Sequence, residues 1–116
     1  MVKVLLVEDD EEDYILTRDL LHEARGDFIL GWVSTYREAL EEIEKSRHDI
    51  YLVDYRLGEM DGLDLVRTAI DMGCKAPLII LTGMGDHNID MAAVETGAAD
   101  YLVKNSLSPE LLERSI

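Results

Sequence analysis

Apolar residues in this chain come in short runs at a steady interval. Val2–Val7 (VKVLLV), Phe28–Val33 (FILGWV), Ile50–Tyr55 (IYLVDY), Pro77–Thr82 (PLIILT) and Tyr101–Val103 (YLV) are rich in Val, Ile, Leu and Tyr. Several are continuous rather than alternating, the pattern of strands covered on both faces. Between them the apolar positions take helical spacing: Leu16, Leu20, Leu21 and Ala24; Ala39, Leu40 and Ile43; Val66, Ala69 and Ile70. The polar punctuation agrees. Thr35 with Glu38 reads as a capping box, and Asp61 with Asp64 resembles a second. Gly73 can end the third helix in the left-handed conformation, and Pro77 opens the next strand soon after. Ser108 followed by Pro109 starts a last helix over Glu110 to Ile116, about two turns long. That helix reads as cut short, as in a segment trimmed from a longer protein.

Strand and helix alternate with no repeat, linker or low-complexity tract. The pattern therefore predicts a single α/β domain over residues 1–116, with a parallel sheet, right-handed crossovers and helices on both faces. A chain of 116 residues can bury a real core. Ligand sites in such sheets lie at the carboxyl ends of the strands, near the switch in strand order. That rule singles out Glu8, Asp9 and Asp10 after the first strand, Asp54 on the third, Thr82 on the fourth and Lys104 after the fifth.

Charge narrows the partners. Against 11 basic residues stand 25 acidic ones, a net charge of −14, which repels nucleic acid and anionic membrane and favours cations and basic protein patches. No apolar run approaches the ~20 residues of a membrane span. No basic segment with a cleavage site precedes the first strand, so a signal peptide is not expected. The single cysteine, Cys74, excludes an internal disulfide and has no partner for a Cys-based zinc site. It fits a reducing cytoplasm and reads as incidental. The three histidines, His22, His48 and His87, lie in different segments without ligand spacing, and Phe28 and Trp32 read as core.

Six acids in a row, Glu8 to Asp13, follow the first apolar run, although packed carboxylates repel one another. Carboxylates at strand ends suit a hard divalent cation such as Mg2+, which takes a few oxygen ligands and keeps several waters. The hydroxyl of Thr82 and the ammonium of Lys104 add what the equatorial oxygens of a transferring phosphoryl group need. A central carboxylate acting as nucleophile would then yield an acyl phosphate. Each residue alone has a bland reading, as turn former, strand residue or surface charge. The set in chain order is far more specific.

Those residues resemble the CheY-like receiver domains of two-component signalling over essentially the whole chain, the short final helix excepted. Glu8 and Asp9 in LLVEDD match the family's acidic pair, and Asp54 in YLVDYRLGEMDGLDLV matches its phosphoacceptor. Thr82 in LIILTGMGD matches the switch hydroxyl. Lys104 and the aromatic Tyr101, in GAADYLVK, match the family's lysine and the ring that precedes it. The resemblance implies a flavodoxin-like, doubly wound five-stranded sheet in the order 2-1-3-4-5. It also implies one Mg2+ held by Asp9, Asp54 and the backbone carbonyl of Arg56, with Glu8 ligating directly or through water. The phosphoryl group would come from a histidine kinase or histidine phosphotransfer protein. Its arrival would switch the surface around Thr82 and Tyr101 to control an output domain or partner protein. A homodimer through the face of the fourth helix, fifth strand and fifth helix is one arrangement the family implies. Such a domain is no enzyme beyond accepting phosphoryl and slowly hydrolysing it, with Arg56 and Met84 long enough to shield the phosphate. Asp10 is better read with Glu11, Glu12 and Asp13 as helix-start charge favoured by the dipole.

Two departures stand out. Gly58 replaces a frequent proline, which predicts a looser loop. Asn105 follows Lys104 where the family often has a cis proline, so that bond is either trans or held cis at ~2.5–4 kcal/mol. Three rivals differ in what they need. An aspartate-nucleophile phosphatase wants a second acid two residues on, where Arg56 stands. A flavin module wants a phosphate loop where six acids stand, and GMGD (Gly83–Asp86) lacks P-loop spacing. A phosphorylation-independent docking domain of the same fold stays open, as do the kinase and the output.

Overall fold

The structure is a computed structural model that describes residues 2–24, 27–58, 60–83, 95 and 97–116. The apolar runs form strands β1 (Val2–Val7), β2 (Phe28–Val33), β3 (Ile50–Asp54), β4 (Leu78–Thr82) and β5 (Asp100–Val103). All neighbouring pairs are parallel, and the spatial order is β2-β1-β3-β4-β5, as the resemblance implied. Every residue of β3 and β4 is buried, which explains why their sequences are continuous apolar runs rather than alternating ones. A two-residue antiparallel ribbon, Arg56–Leu57 against Met60–Asp61, follows β3. Because the chain runs from β1 out to β2 and then back across to β3, the carboxyl ends of β1 and β3 flank the reversal in strand order.

Helices cover both faces. α2 (Tyr36–Lys45) and α3 (Gly62–Asp71) pack on Leu5, Val7, Tyr51, Val53 and Ile80. On the other side, α1 (Glu11–Glu23) and the C-terminal helix (Pro109–Ser115) put Leu21 and Leu112 against Val4, Leu6, Leu52 and Leu81. No described helix is long and apolar enough to cross a membrane. The helix expected between Thr82 and Tyr101, together with Met84 and His87, lies outside the described residues.

The caps follow the polar punctuation. The Thr35 hydroxyl accepts from the Glu38 amide at 3.1 Å and donates to its carboxylate at 3.0 Å. Thr35→Ala should therefore lower stability by about 1 kcal/mol, read as a shift in urea midpoint; an unchanged midpoint would mean that water replaces the cap fully. Asp61 caps α3 through the Leu63 amide at 2.7 Å, whereas Asp64 takes no part in a capping box and pairs with Arg67. Gly73 closes α3 at φ +91°, and Ser108 caps the helix that opens at Pro109.

Three expectations need correcting. Leu16 is 45% exposed, and the buried side of α1 carries Thr17 and Leu21 instead. Thr17 can be buried because its hydroxyl donates to the Asp13 carbonyl at 2.9 Å. Ile70 is 39% exposed, and Leu65 fills the core beside Val66 and Ala69. Trp32 is not core either. Lying on the edge strand β2, it stays 37% exposed.

Candidate functional site

The acidic run divides by position. Glu8 continues β1 inward, its amide bonded to the Val33 carbonyl at 3.0 Å, and its side chain is 1% exposed. Asp10 is the N-cap of α1 and accepts from the Glu12 amide at 2.9 Å, as a helix-start residue should. Glu11 and Glu12 face solvent. Asp13 turns inward, contrary to its reading as helix-start charge alone.

Asp54 ends β3 and is 6% exposed. The turn beyond it is pinned on both sides: the Tyr55 amide donates to the Leu81 carbonyl at 2.8 Å, and the Tyr55 carbonyl accepts from the Gly62 amide at 2.7 Å. Gly62 is required there, since a Cβ would collide with the Asp54 carbonyl oxygen. Gly58, at φ +63°, donates its amide to an Asp9 carboxylate oxygen at 2.8 Å. Proline could not make that bond, so this loop is tied where a looser one was expected.

Lys104 stands at the centre. Its Nζ lies 2.7 Å from Glu8 Oε1, 2.7 Å from Asp13 Oδ2 and 2.9 Å from Asp54 Oδ1. Burial alone would weaken its hold on a proton, but hydrogen bonds to Asp13, Glu8 and Asp54 outweigh that and hold it above its ordinary value. Lys104 is therefore firmly an ammonium. Its hydrogen bond holds Asp13 below the usual carboxylate range. Burial drives Glu8 the other way, well above that range, and the neighbouring Asp54 and Asp13 carboxylates add to the push against the pull of Lys104. The cluster is short of positive charge. No described peptide bond is cis, so Lys104 is presented on a trans bond and a short 3-10 turn over Lys104–Ser106.

Whether these residues suit a cation can be read from the oxygens. Glu8, Asp9 and Asp54 each offer one carboxylate oxygen, all within 4.8 Å of one another, and no histidine or cysteine joins them among the described residues. The second oxygen of Glu8 is buried with no hydrogen-bond partner. A buried orphan beside an all-oxygen donor set suits a hard divalent ion. The Thr82 hydroxyl, 1% exposed at the end of β4, is likewise without a partner, so an incoming acceptor oxygen would relieve it. Register pairs Ile80 with Tyr101 and Thr82 with Val103, so Tyr101 lies on the neighbouring strand, one same-face position back from Thr82. Tyr101 is half-buried against the core on the α2–α3 side. The Arg56 side chain is exposed in the ribbon.

Sequence reasoning missed Asp13, Gly62 and Trp32. The Trp32 indole N–H donates to the Glu8 carbonyl at 2.7 Å, and its ring stacks on Tyr14 at 4.2 Å and 5°. The Arg18 guanidinium sits 5.7 Å from the Tyr14 ring centroid.

The family model described as the response regulator receiver domain matches residues 4–115. Chemotaxis protein CheY of Thermotoga maritima is 28% identical over 102 residues, covering 88% of this chain and 84% of that protein. Methanogenesis regulatory protein FilR1 of Methanothrix harundinacea is 37% identical across 97% of this chain, yet the chain covers only 27% of FilR1. A crystal structure of a response regulator protein from Burkholderia pseudomallei, with a phosphorylated aspartic acid, calcium ion and citrate, superposes with a TM-score of 0.80. It is 26% identical, across 97% of this chain and 65% of that one. The sheet order, the acidic cluster at its carboxyl edge and the match over nearly the whole chain have one explanation: this chain belongs to the receiver-domain family of two-component response regulators, which are phosphorylated on aspartate.

Proposed function

We propose that Asp54 is the phosphoacceptor and takes its phosphoryl group from a phosphohistidine on a kinase or phosphotransfer partner. The observation that supports this best is the placement of the Asp54 carboxylate, buried at the end of β3, 2.9 Å from the Lys104 ammonium and within the acidic cluster. An Asp54 oxygen attacks phosphorus, the P–N bond breaks, and the departing imidazole takes a proton from solvent. The side chains of Glu8, Asp9 and Asp54, with the Arg56 backbone carbonyl, are the groups that would hold Mg2+. When bound, Mg2+ offsets the negative charge of the phosphoryl oxygens beside these carboxylates. Lys104 meets one phosphoryl oxygen and Thr82 donates to another.

Regulation follows from movement. Thr82 reaches the phosphoryl group only by shifting toward it, which opens space for the Tyr101 ring and alters the surface read by an output domain or partner protein. The chain acts as a switch and not as a turnover catalyst, and it hydrolyses its own phosphate slowly. Its phosphohistidine donor and lone thiol fit a cytoplasmic address.

The test is chemical. Incubation with phosphoramidate and Mg2+ should add one phosphoryl mass, labile to hydroxylamine as an acyl phosphate is, and absent from Asp54→Asn. A chain that gains no phosphoryl at any Mg2+ concentration, or gains it equally in Asp54→Asn, would overturn the assignment.

A further inference from the structure

The Lys104 ammonium hydrogen-bonds Glu8 and Asp13 at 2.7 Å and lies 2.9 Å from Asp54 Oδ1, so carboxylates surround it. Under the function proposed above, on which this inference rests, that arrangement must change. Glu8 and Asp54 belong to the cation cluster, and the ammonium must turn from them to meet a phosphoryl oxygen. Asp13 stands outside that cluster. It comes from the first turn of α1, not from a strand end.

We propose that Asp13 is a positioning residue that tethers Lys104 while Glu8 turns to the cation and Asp54 to the phosphoryl group. The ammonium then pivots about one fixed partner instead of swinging into solvent. Two observations fit a tether better than a helix-start charge. Glu11 and Glu12 already supply negative charge to the same turn and face solvent, whereas Asp13 alone of the three reaches Lys104. The tether is also held in place. The buried Thr17 hydroxyl donates to the Asp13 carbonyl at 2.9 Å, and the next residue, Tyr14, stacks on Trp32, itself bonded to the Glu8 carbonyl. The turn of α1 that carries Asp13 is thus fixed to the strand end that carries Glu8.

Three measurements on the whole chain test this. The first is the initial rate of phosphorylation by phosphoramidate at saturating Mg2+, in wild type, Asp13→Asn and Glu12→Gln. The second is Mg2+ affinity by calorimetry in the same proteins. Asp13→Asn should slow phosphorylation about tenfold or more even when Mg2+ saturates, as expected for losing a charge-assisted hydrogen bond. Glu12→Gln makes the same change of charge one residue away and should alter neither quantity by more than about threefold. The third needs no variant. The carboxylate carbon signal of Asp13 in the wild type should keep its lysine-bonded position when Mg2+ and beryllofluoride are added. A signal that moves to the free-carboxylate position, or an Asp13→Asn rate equal to that of Glu12→Gln, overturns the tether while leaving Asp54 as acceptor. A wild type that accepts no phosphoryl group removes both.

Discussion

Lys104→Met should cost about 3–5 kcal/mol of stability near neutral pH and slow phosphorylation of Asp54 by about a hundredfold or more. The side chain removed is the only cation among the described residues with an ion pair to Glu8, Asp13 or Asp54. Glu8 and Asp54 would remain buried without a counter-charge, and a buried carboxylate escapes that penalty by taking a proton. The direction with pH follows. Burial, chiefly, already raises Glu8 in the folded state, and losing Lys104 removes the one contact that opposes the rise. A carboxyl raised on folding binds its proton more tightly in the native chain. It therefore favours folding fully below its unfolded value, about 4.3, and that contribution is lost as pH rises through the raised one. Wild type, whose Glu8 is already raised to about 10, and the Met variant should therefore both gain stability as pH falls from about 7.5 to about 5.5. Urea midpoints at the two pH values decide it. A variant as stable as wild type at the higher pH would mean that the three carboxylates find other partners or water.

Gly62→Ala should be the most damaging glycine-to-alanine change among the described glycines, at about 3 kcal/mol or more. The added carbon would overlap the Asp54 carbonyl oxygen and press on the Asp54 carbonyl carbon at 3.0 Å and Tyr55 Cα at 3.1 Å. All three are backbone atoms of the strand end that bears Asp54, so no side chain can rotate away. The start of α3 must lift, which strains the 2.7 Å bond from its amide to the Tyr55 carbonyl. Against this, alanine gains at most about 1 kcal/mol of helix propensity over glycine. Sterics win. Gly58→Ala makes a useful contrast, since nothing lies within 4 Å of its added carbon and only the φ of +63° resists. That change should cost about 1 kcal/mol. Equal urea midpoints for the two variants would show that the helix start yields freely.

The topology and the acids at its carboxyl edge were legible because both rest on period and punctuation. β3 and β4 are buried on both faces, and their runs show it without alternation. Glu8, Asp9, Asp54, Thr82 and Lys104 could be picked out because strand ends in a parallel sheet converge whatever the details of packing. Which side of a helix is buried was less legible. Leu16 and Ile70 are apolar yet exposed, and Thr17 is polar yet buried because its hydroxyl bonds within its own helix. An apolar stripe can be drawn one position off when a polar residue satisfies itself. Asp13 was out of reach for a different reason. Its partner lies 91 residues away, and only the docked rotation of α1 brings them together. Gly62 was out of reach too, since the need for it is a backbone approach that no single sequence displays.

Trp32 is the only tryptophan in the chain. Its indole N–H is bonded to the carbonyl of Glu8 and its ring lies flat on Tyr14, next in sequence to Asp13. The chain's tryptophan emission therefore originates at a single place, one hydrogen bond away from the acidic cluster. Indole emission responds to the charge and polarity around its N–H, so filling the pocket alters the field at the fluorophore without any label. The ring that braces a strand end is thereby also an optical probe of the site beside it.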